Sequence, residues 1–232
     1  MAVGLREWNV LQHKPIEKLA SNLWRVEGRM SDTNWRVMLL VRLADGRLVM
    51  HNAIALDEPS MREIDQWGEV AAILIPNRFH RQDAFIMQQR YTKARVYAPR
   101  GALQGASRAT PCSGSYGDVP VDSSLVAREL GGIGEREGVL IVRSEDGVSA
   151  VFCDTVLNLP KLGGPMGFIL HPTGTLSVPR ATRWLFAKDS NELRRDLEAI
   201  AETPNLTRVI PGHGPIVREQ AAGQLLAAAK RL

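Results

Sequence analysis

Hydrophobic residues recur in short runs along this chain, and glycine, proline and aspartate separate the runs. Some runs alternate with polar residues and others are continuous, as in strands buried on one face or on both. The pattern predicts strands at residues 22–28, 35–43, 47–50, 70–75, 94–98, 138–143, 148–154 and 207–210. Both halves of the chain read strand, turn and strand, followed by helix, strand and helix. The sequence therefore predicts an α/β protein with two sheets in its core and helices outside them.

Helical periodicity appears between and after these strands. Helices are expected at residues 60–67, 83–91 and 216–232, and at a further segment that begins with Ser190 as its cap. Residues 100–120 are rich in glycine, serine and proline and show neither period, so they are expected to form a long surface loop, a candidate lid. Residues 158–180 are expected to be irregular for the same reason.

Polar side chains that can do chemistry cluster where the predicted strands end. They are His51, Asn52, Asn77, Arg78, His80, Arg81, Asp83, Asp154 and His213. In layered α/β folds, sites form where the carboxyl ends of strands converge. Several of these side chains are therefore expected to share one cleft.

The sequence Pro211-Gly-His-Gly214 is the most informative of these strand ends. Gly212 and Gly214 allow the backbone to reverse tightly, so that His213 projects from the end of a strand. A histidine held in this way can bind a metal or transfer a proton. The alternative is an ordinary turn with a solvated histidine, because short motifs recur without function.

Composition narrows the class of protein. The 232 residues carry a net charge of +4 and only 6% aromatic residues, without a dense basic run, so nucleic-acid binding is not expected. A small anionic substrate suits this balance better. Cys112 and Cys153 lie far apart, and Cys153 is expected to be an inert thiol inside a strand. With neither a signal-peptide run nor a membrane-spanning stretch, we expect one cytoplasmic domain over residues 1–232.

Together these residues resemble the metallo-β-lactamase superfamily over residues 22–216. Val151-Phe-Cys-Asp154 resembles its late aspartate motif, and Pro211-Gly-His-Gly214 resembles its last histidine in the form found in glyoxalase II-like hydrolases. The resemblance implies a four-layer αββα sandwich whose halves each supply part of a metal site.

The first half departs from the family pattern Thr-His-x-His-x-Asp-His. In straight register, the first two histidines are replaced by Asn77 and Phe79, and the Asp-His pair by Arg81 and Gln82. His80 is displaced by one position. His51 stands at the position of the early aspartate, and residues 131–138 occupy the region of the middle histidine without supplying one. The resemblance is therefore to a divergent branch with a degraded metal motif.

A catalytic zinc ion usually takes three protein ligands and a water molecule, which His80, Asp154 and His213 could supply. Arginine cannot bind a metal, and its charge opposes a neighbouring cation, so Arg78 and Arg81 argue against a two-metal centre. They could instead hold an anionic substrate. His51, Asn77, Arg78 and Asp83 are candidates for supporting or substrate-binding roles.

Two hypotheses remain open at this point. In the first, the chain is a hydrolase with one zinc or other divalent metal, in which Asp154, His80 and Arg81 act on an ester, thioester or phosphate. In the second, it is a non-catalytic, metal-free binding or structural member of the same fold. An RNA-processing relative is a weaker third possibility.

Overall fold

Six strands from the first half of the chain form one mixed sheet. The computed structural model describes residues 6–30 and 34–232. The strands are Glu17–Ala20 (β1), Leu23–Arg29 (β2), Trp35–Arg42 (β3), Leu48–His51 (β4), Val70–Leu74 (β5) and Arg95–Tyr97 (β6). They lie in chain order, antiparallel from β1 to β4 and parallel from β4 to β6. The carboxyl ends of β4 and β5 therefore lie at the same edge of this sheet.

Four strands from the second half form the other mixed sheet. They are Leu125–Glu129 (β7), Gly138–Ser144 (β8), Gly147–Val151 (β9) and Leu206–Ile210 (β10). Their order is β10-β9-β8-β7, with β9 and β10 parallel and the other pairs antiparallel. The carboxyl ends of β9 and β10 thus lead together into the segments that carry Asp154 and His213.

Helices flank both sheets. They are Glu58–Trp67 (α1), Ala84–Arg90 (α2), Leu103–Ala106 (α3), Gly164–Ile169 (α4), Ser190–Ala201 (α5) and Ala221–Ala229 (α6). Two short 3₁₀ helices, Arg100–Ala102 and Tyr116–Asp118, and a π-helix, Thr182–Phe186, add to them. Within residues 6–30 and 34–232, no helix has the length and apolar character needed to cross a membrane. Residues 1–5, part of the N-terminal stretch considered above, lie outside this description.

Three apolar cores hold the layers together. The middle core joins the two sheets, where Leu39 and Leu74 belong to the same cluster as Leu140 and Val151. A second core packs α1 and α2 against the outer face of the first sheet, and a third packs α5 and α6 against the second. This arrangement of two mixed sheets with helices outside confirms the predicted four-layer sandwich.

Helix α5 begins one residue earlier than its predicted cap, Ser190, implies. The side chain of Asp189 accepts hydrogen bonds from the backbone N–H groups of Asn191 and Glu192, at 2.9 and 3.0 Å. Ser190 is therefore the first helical residue and not the cap. The aspartate one position earlier takes the role because its carboxylate can accept both exposed N–H groups.

Two segments differ from their predicted form. Residues 100–120 contain α3 and both 3₁₀ helices. They bury Ala106 in the core outside the first sheet and Tyr116 in the core between the two sheets, so they are packed and do not form a loose surface loop. The last helix begins at Ala221 and not at residue 216, because Val217 exchanges two backbone hydrogen bonds of 2.9 Å with Val209. The sequence also did not predict β1 and β7, which are short and partly exposed.

Candidate metal centre

Three side chains from distant parts of the sequence meet between the two sheets. Nε2 of His80 lies 3.2 Å from Oδ1 of Asp154, and Nε2 of His213 lies 3.2 Å from the same oxygen. The two Nε2 atoms lie 3.3 Å apart. Sites predicted on separate strand ends are thus brought into one cluster, with one histidine from the first sheet and the other two groups from the second.

The hydrogen bond behind His213 determines which of its nitrogens carries a proton. Its Nδ1 lies 2.5 Å from the backbone carbonyl oxygen of Trp35. Because a carbonyl oxygen can only accept, Nδ1–H must donate, and in the neutral ring the lone pair is on Nε2. That lone pair is directed at the cluster.

The side chain of Asn52 likewise determines which nitrogen of His80 carries the proton. Its Nδ2 donates to the carbonyl oxygen of Val37 at 2.8 Å, which leaves Oδ1 to face Nδ1 of His80 at 3.2 Å. An amide oxygen accepts, so Nδ1–H of His80 donates and Nε2 again carries the lone pair. Asn52 has a φ of +58°, a conformation that asparagine tolerates better than most residues. The position therefore favours asparagine for its backbone as well as for its side chain.

Two imidazole lone pairs and one carboxylate oxygen consequently point at one another. Atoms arranged tetrahedrally about 2.0–2.1 Å from a zinc ion lie roughly 3.3–3.4 Å apart. The observed separations of 3.2, 3.2 and 3.3 Å are close to this spacing. Outer hydrogen bonds that fix ligand tautomers are also typical of metal-binding histidines. The residues present therefore fit a single divalent metal ion.

The local turn of residues 77–80 explains why His80, and not Phe79, faces the cluster. Oδ1 of Asn77 accepts hydrogen bonds from the backbone N–H groups of Phe79 and His80, at 2.8 and 3.2 Å. This tight turn leaves the Phe79 side chain half exposed against Phe186, with ring centroids 5.9 Å apart. Nδ2 of Asn77 meanwhile donates to Oδ2 of Asp154 at 2.7 Å and orients that carboxylate.

The glycines around His213 allow its loop to approach the Asp154 loop. A Cβ atom on Gly212 would lie 2.7 Å from the carbonyl oxygen of Cys153, and one on Gly214 would lie 1.9 Å from that of Asn158. Gly214 also has a φ of +97°. Both positions require glycine for the two loops to touch.

Glu137 holds the backbone of the segment that carries Asp154, and it was not among the site residues predicted from the sequence. Its buried carboxylate accepts hydrogen bonds from the backbone N–H groups of Cys153, Asp154 and Thr155, all at 3.0–3.1 Å. Burial, with the charge of Asp154, raises the pKa of Glu137 to about 7. A glutamate that leads directly into a buried strand is the one signal that could have drawn attention to it.

Mutual interactions shift the pKa values of the clustered groups. Burial acts to raise the pKa of Asp154, but the charges and hydrogen bonds of His80 and His213 hold it well below its ordinary value. Burial acts to lower the pKa of His213, but its hydrogen bond to Asp154 and the carboxylate charge raise it above the usual value. Without a metal, the cluster therefore favours an aspartate–imidazolium pair.

Cys153 lies closer to the cluster than expected. Its sulfur, with ligand atoms of His80 and Asp154, forms a group whose members lie within 4.8 Å of one another. Burial raises the pKa of this thiol well above its ordinary value. The thiol is buried as predicted, and it is also a candidate fourth donor, a possibility that its strand position did not indicate.

Unpaired arginines border the cluster. A cavity of about 650 Å³ is lined by Arg78, Arg81 and Arg108 as well as by His80. A smaller cavity of about 200 Å³ reaches Asp154 and Glu137 past Arg78 and Arg136. Among the described residues, none of these four arginines pairs with a carboxylate. Arg81 donates to the backbone carbonyl of Gly105.

Solved structures of metallo-β-lactamases share this architecture over nearly the whole chain. The DIM-1 metallo-β-lactamase matches with a TM-score of 0.66 and 16% identity, covering 96% of this chain and 99% of that one. FIM-1 from Pseudomonas aeruginosa, in its mono-zinc form, matches with a TM-score of 0.61 and 14% identity, covering 94% and 96%. The metallo-β-lactamase from Pontibacter korlensis gives 0.62 and 13%, covering 95% and 100%.

This chain has the metallo-β-lactamase fold. No protein-family profile and no curated protein matches its sequence. The identities to these solved structures are low, from 13% to 16%.

Two other predicted residues lie near the centre of the metallo-β-lactamase fold without joining the cluster. Asp83 is buried, pairs with Arg36 at 2.5 Å and accepts from the backbone N–H of Ala55. His51 is buried with its ring edge towards Tyr116, and neither of its nitrogens has a hydrogen-bond partner among the described residues. Burial lowers the pKa of His51 to about 3, so its ring is neutral.

Proposed function

We propose that this protein is a hydrolase that uses one divalent metal ion, zinc in the first instance, and acts on a small anionic ester, thioester or phosphate. The observation that carries the proposal is the convergence of three metal-binding lone pairs at tetrahedral spacing. The similarity to metallo-β-lactamases, one of them in a mono-zinc form, supports it.

His80, Asp154 and His213 would hold the metal, which supplies a Lewis acid and makes water nucleophilic at neutral pH when bound. A second metal ion is not part of the proposal. Arg81 and Gln82 stand where a dinuclear site has its Asp-His pair, and Arg78 and Arg81 place positive charge beside the cluster. This charge raises the free energy of a second cation in the same place.

Other residues of the chain would orient the Asp154 carboxylate and the substrate. Asn77 donates to Oδ2 of Asp154 and thereby turns Oδ1 towards both histidines. Arg78 and Arg81 line the adjoining cavity and have guanidinium donors for an anionic group of the substrate. A substrate held by these arginines would present its reactive bond beside Asp154.

A metal-free binding protein is the second candidate function. The pKa values of Asp154 and His213 favour it, because they allow the cluster to be stable without a metal. The raised pKa of His213 and the lowered pKa of Asp154 mean that a proton can stabilise the cluster in place of a metal. In that case the same arginines would bind an anion without hydrolysis.

Metal content separates the two candidates. Protein purified without chelators is expected to contain about one equivalent of zinc or another divalent metal, measured by elemental analysis, and His213→Ala is expected to lose it. His171→Ala, which changes an exposed histidine away from the cluster, is the control. Less than about a tenth of an equivalent in the wild-type protein after zinc reconstitution would refute the metal proposal.

Hydrolysis is tested separately on generic esters, thioesters and phosphate esters. The isosteric variant Asp154→Asn is expected to abolish any activity that the metal-loaded protein shows, because it removes a ligand charge. Activity that survives this change would belong to a contaminant or to another site. A fully loaded protein that is inactive on all three classes would favour the binding function.

A further inference from the structure

An apolar groove also reaches the metal centre. It has a volume of about 590 Å³, within the range of roughly 300–1,000 Å³ that is usual for small-molecule sites. Its apolar lining includes Leu157, Leu159, Leu162, Met166, Leu170 and Phe186. Asp154 and His213 are its only ionisable lining residues within the described chain. The groove therefore offers contacts to a hydrocarbon and, apart from the centre itself, no partner for a charge.

The apolar groove adjoins the arginine-lined cavities. Asp154, Thr182 and Phe186 line both the apolar groove and the 200 Å³ cavity that contains Arg78 and Arg136. Arg78 in turn also lines the larger arginine cavity. The arginine-lined cavities and the apolar groove thus lie on either side of Asp154, and together they are called the trough below.

We propose that the substrate of this centre is a single-chain anionic amphiphile, an inference that rests on the proposed function. Its anionic head binds the arginines, and its alkyl or acyl chain lies in the groove of Leu157, Leu162 and Met166. Charge complementarity favours this direction, because among the described residues that line these cavities the arginines lie at one end and the apolar side chains at the other. Removing the chain from water supplies affinity that a small head group lacks.

Exposed apolar side chains outside the groove provide an internal control. Met166 lines the groove and is 58% exposed, whereas Leu185 is 69% exposed and does not line it. Replacing either residue changes an exposed position, so both variants are expected to fold. A membrane-facing patch would depend on Leu185, and a groove for one chain would depend on Met166.

The test measures affinity against chain length. Linear alkyl phosphates from butyl to dodecyl, each below its aggregation concentration, are titrated calorimetrically into metal-free and zinc-loaded protein. Affinity is expected to rise by up to about fourfold for each added methylene, since a fully buried methylene contributes about 0.8 kcal/mol. Met166→Glu is expected to flatten this dependence, and Leu185→Glu, which adds the same charge outside the groove, is expected to preserve it.

The head group is tested with Arg136→Gln. This variant is expected to weaken every alkyl phosphate by the same factor, about tenfold or more, while the dependence on chain length persists. A flat dependence in the wild-type protein would overturn the proposal. So would a slope that survives Met166→Glu but disappears in Leu185→Glu, or binding only to phospholipid vesicles.

These outcomes are independent of those for the proposed function. A chain-length dependence in a protein that neither binds metal nor hydrolyses esters would refute the hydrolase and leave an amphiphile-binding groove. Metal binding and hydrolysis with no chain-length dependence would refute only the amphiphile.

Discussion

The two halves of the metal centre reach one geometry by different routes. In the second half, the family-like segments that end in Asp154 and His213 are intact, and glycines bring their loops into contact. The first half lacks the histidine motif, yet His80 still reaches the cluster because Asn77 closes a tight turn that points it inwards. The comparison teaches that a local turn can direct a side chain into a cluster without a recognisable sequence motif around it.

Removing one histidine from each half is the most severe test of this comparison. His80→Ala and His213→Ala are each expected to weaken zinc binding by more than about 100-fold, beyond the range of roughly 10–100-fold that is typical for supporting residues. The measurement is competition with a chromogenic chelator, and His171→Ala serves as the control. If His80→Ala binds zinc like the wild-type protein, the first half contributes no ligand and the equivalence of the halves is wrong.

Glu137 connects the two halves through a backbone bridge to Asn77, and its replacement should destabilise the fold. Glu137→Met keeps the length of the side chain but leaves the backbone N–H groups of residues 153–155 without their acceptor. The free energy of unfolding is expected to fall by about 2–4 kcal/mol, because a buried donor without a partner costs roughly 1–3 kcal/mol. Urea denaturation of the metal-free protein measures this, with Glu135→Met at an exposed position as the matched control. An unchanged midpoint would show that the three hydrogen bonds add nothing to stability.

Asn52 sharpens the comparison because it sets the tautomer of the first-half histidine only. Asn52→Gly retains a residue suited to positive φ and removes the amide that accepts from His80. Zinc affinity is expected to fall by about 10–100-fold, with one equivalent still bound at saturation. Wild-type affinity in this variant, measured by the same chelator competition, would mean that the tautomer of His80 needs no support.

The buried His51 predicts a pH-dependent effect that is confined to acid. Its pKa is about 3 in the folded protein and near 6.5 when unfolded. Because the folded pKa is lowered, its contribution to stability is complete above pH 6.5 and is lost as the pH falls towards 3, at up to about 1.4 kcal/mol per pH unit. His51→Leu is expected to remove this component from unfolding curves between pH 6.5 and 4. An identical pH dependence in the two proteins would contradict the assignment.

Much of the fold could be predicted from the sequence. Continuous and alternating apolar runs located eight of the ten strands in residues 6–30 and 34–232, including both parallel pairs at whose ends the candidate site lies. Residues 100–120 and α4 were harder to predict, because short helices without periodicity are stabilised by the layers they pack against and not by their own composition. The start of α6 was misplaced because a tertiary pairing of Val217 with Val209 competes with the helix.

The candidate site was predicted only in part, and the residues themselves explain the limit. Asp154 and His213 stand in recognisable local motifs, whereas His80 acquires its direction from a turn made by Asn77. Glu137, Asn52 and the carbonyl of Trp35 act through hydrogen bonds to residues distant in sequence. A local sequence pattern cannot predict hydrogen-bond partners that are distant along the chain.

The sequence by itself determined the strand pattern, the glycine-flanked turn at His213 and a small set of polar strand ends. Only the tertiary structure decided which of those ends meet, that Asp83 pairs with Arg36, and that the lone pairs of His80 and His213 face one carboxylate oxygen. The physical reason is one of range. Apolar periodicity and turn chemistry act over a few residues, but hydrogen bonds and charge interactions depend on atoms a few ångströms apart in space, whatever their separation along the chain.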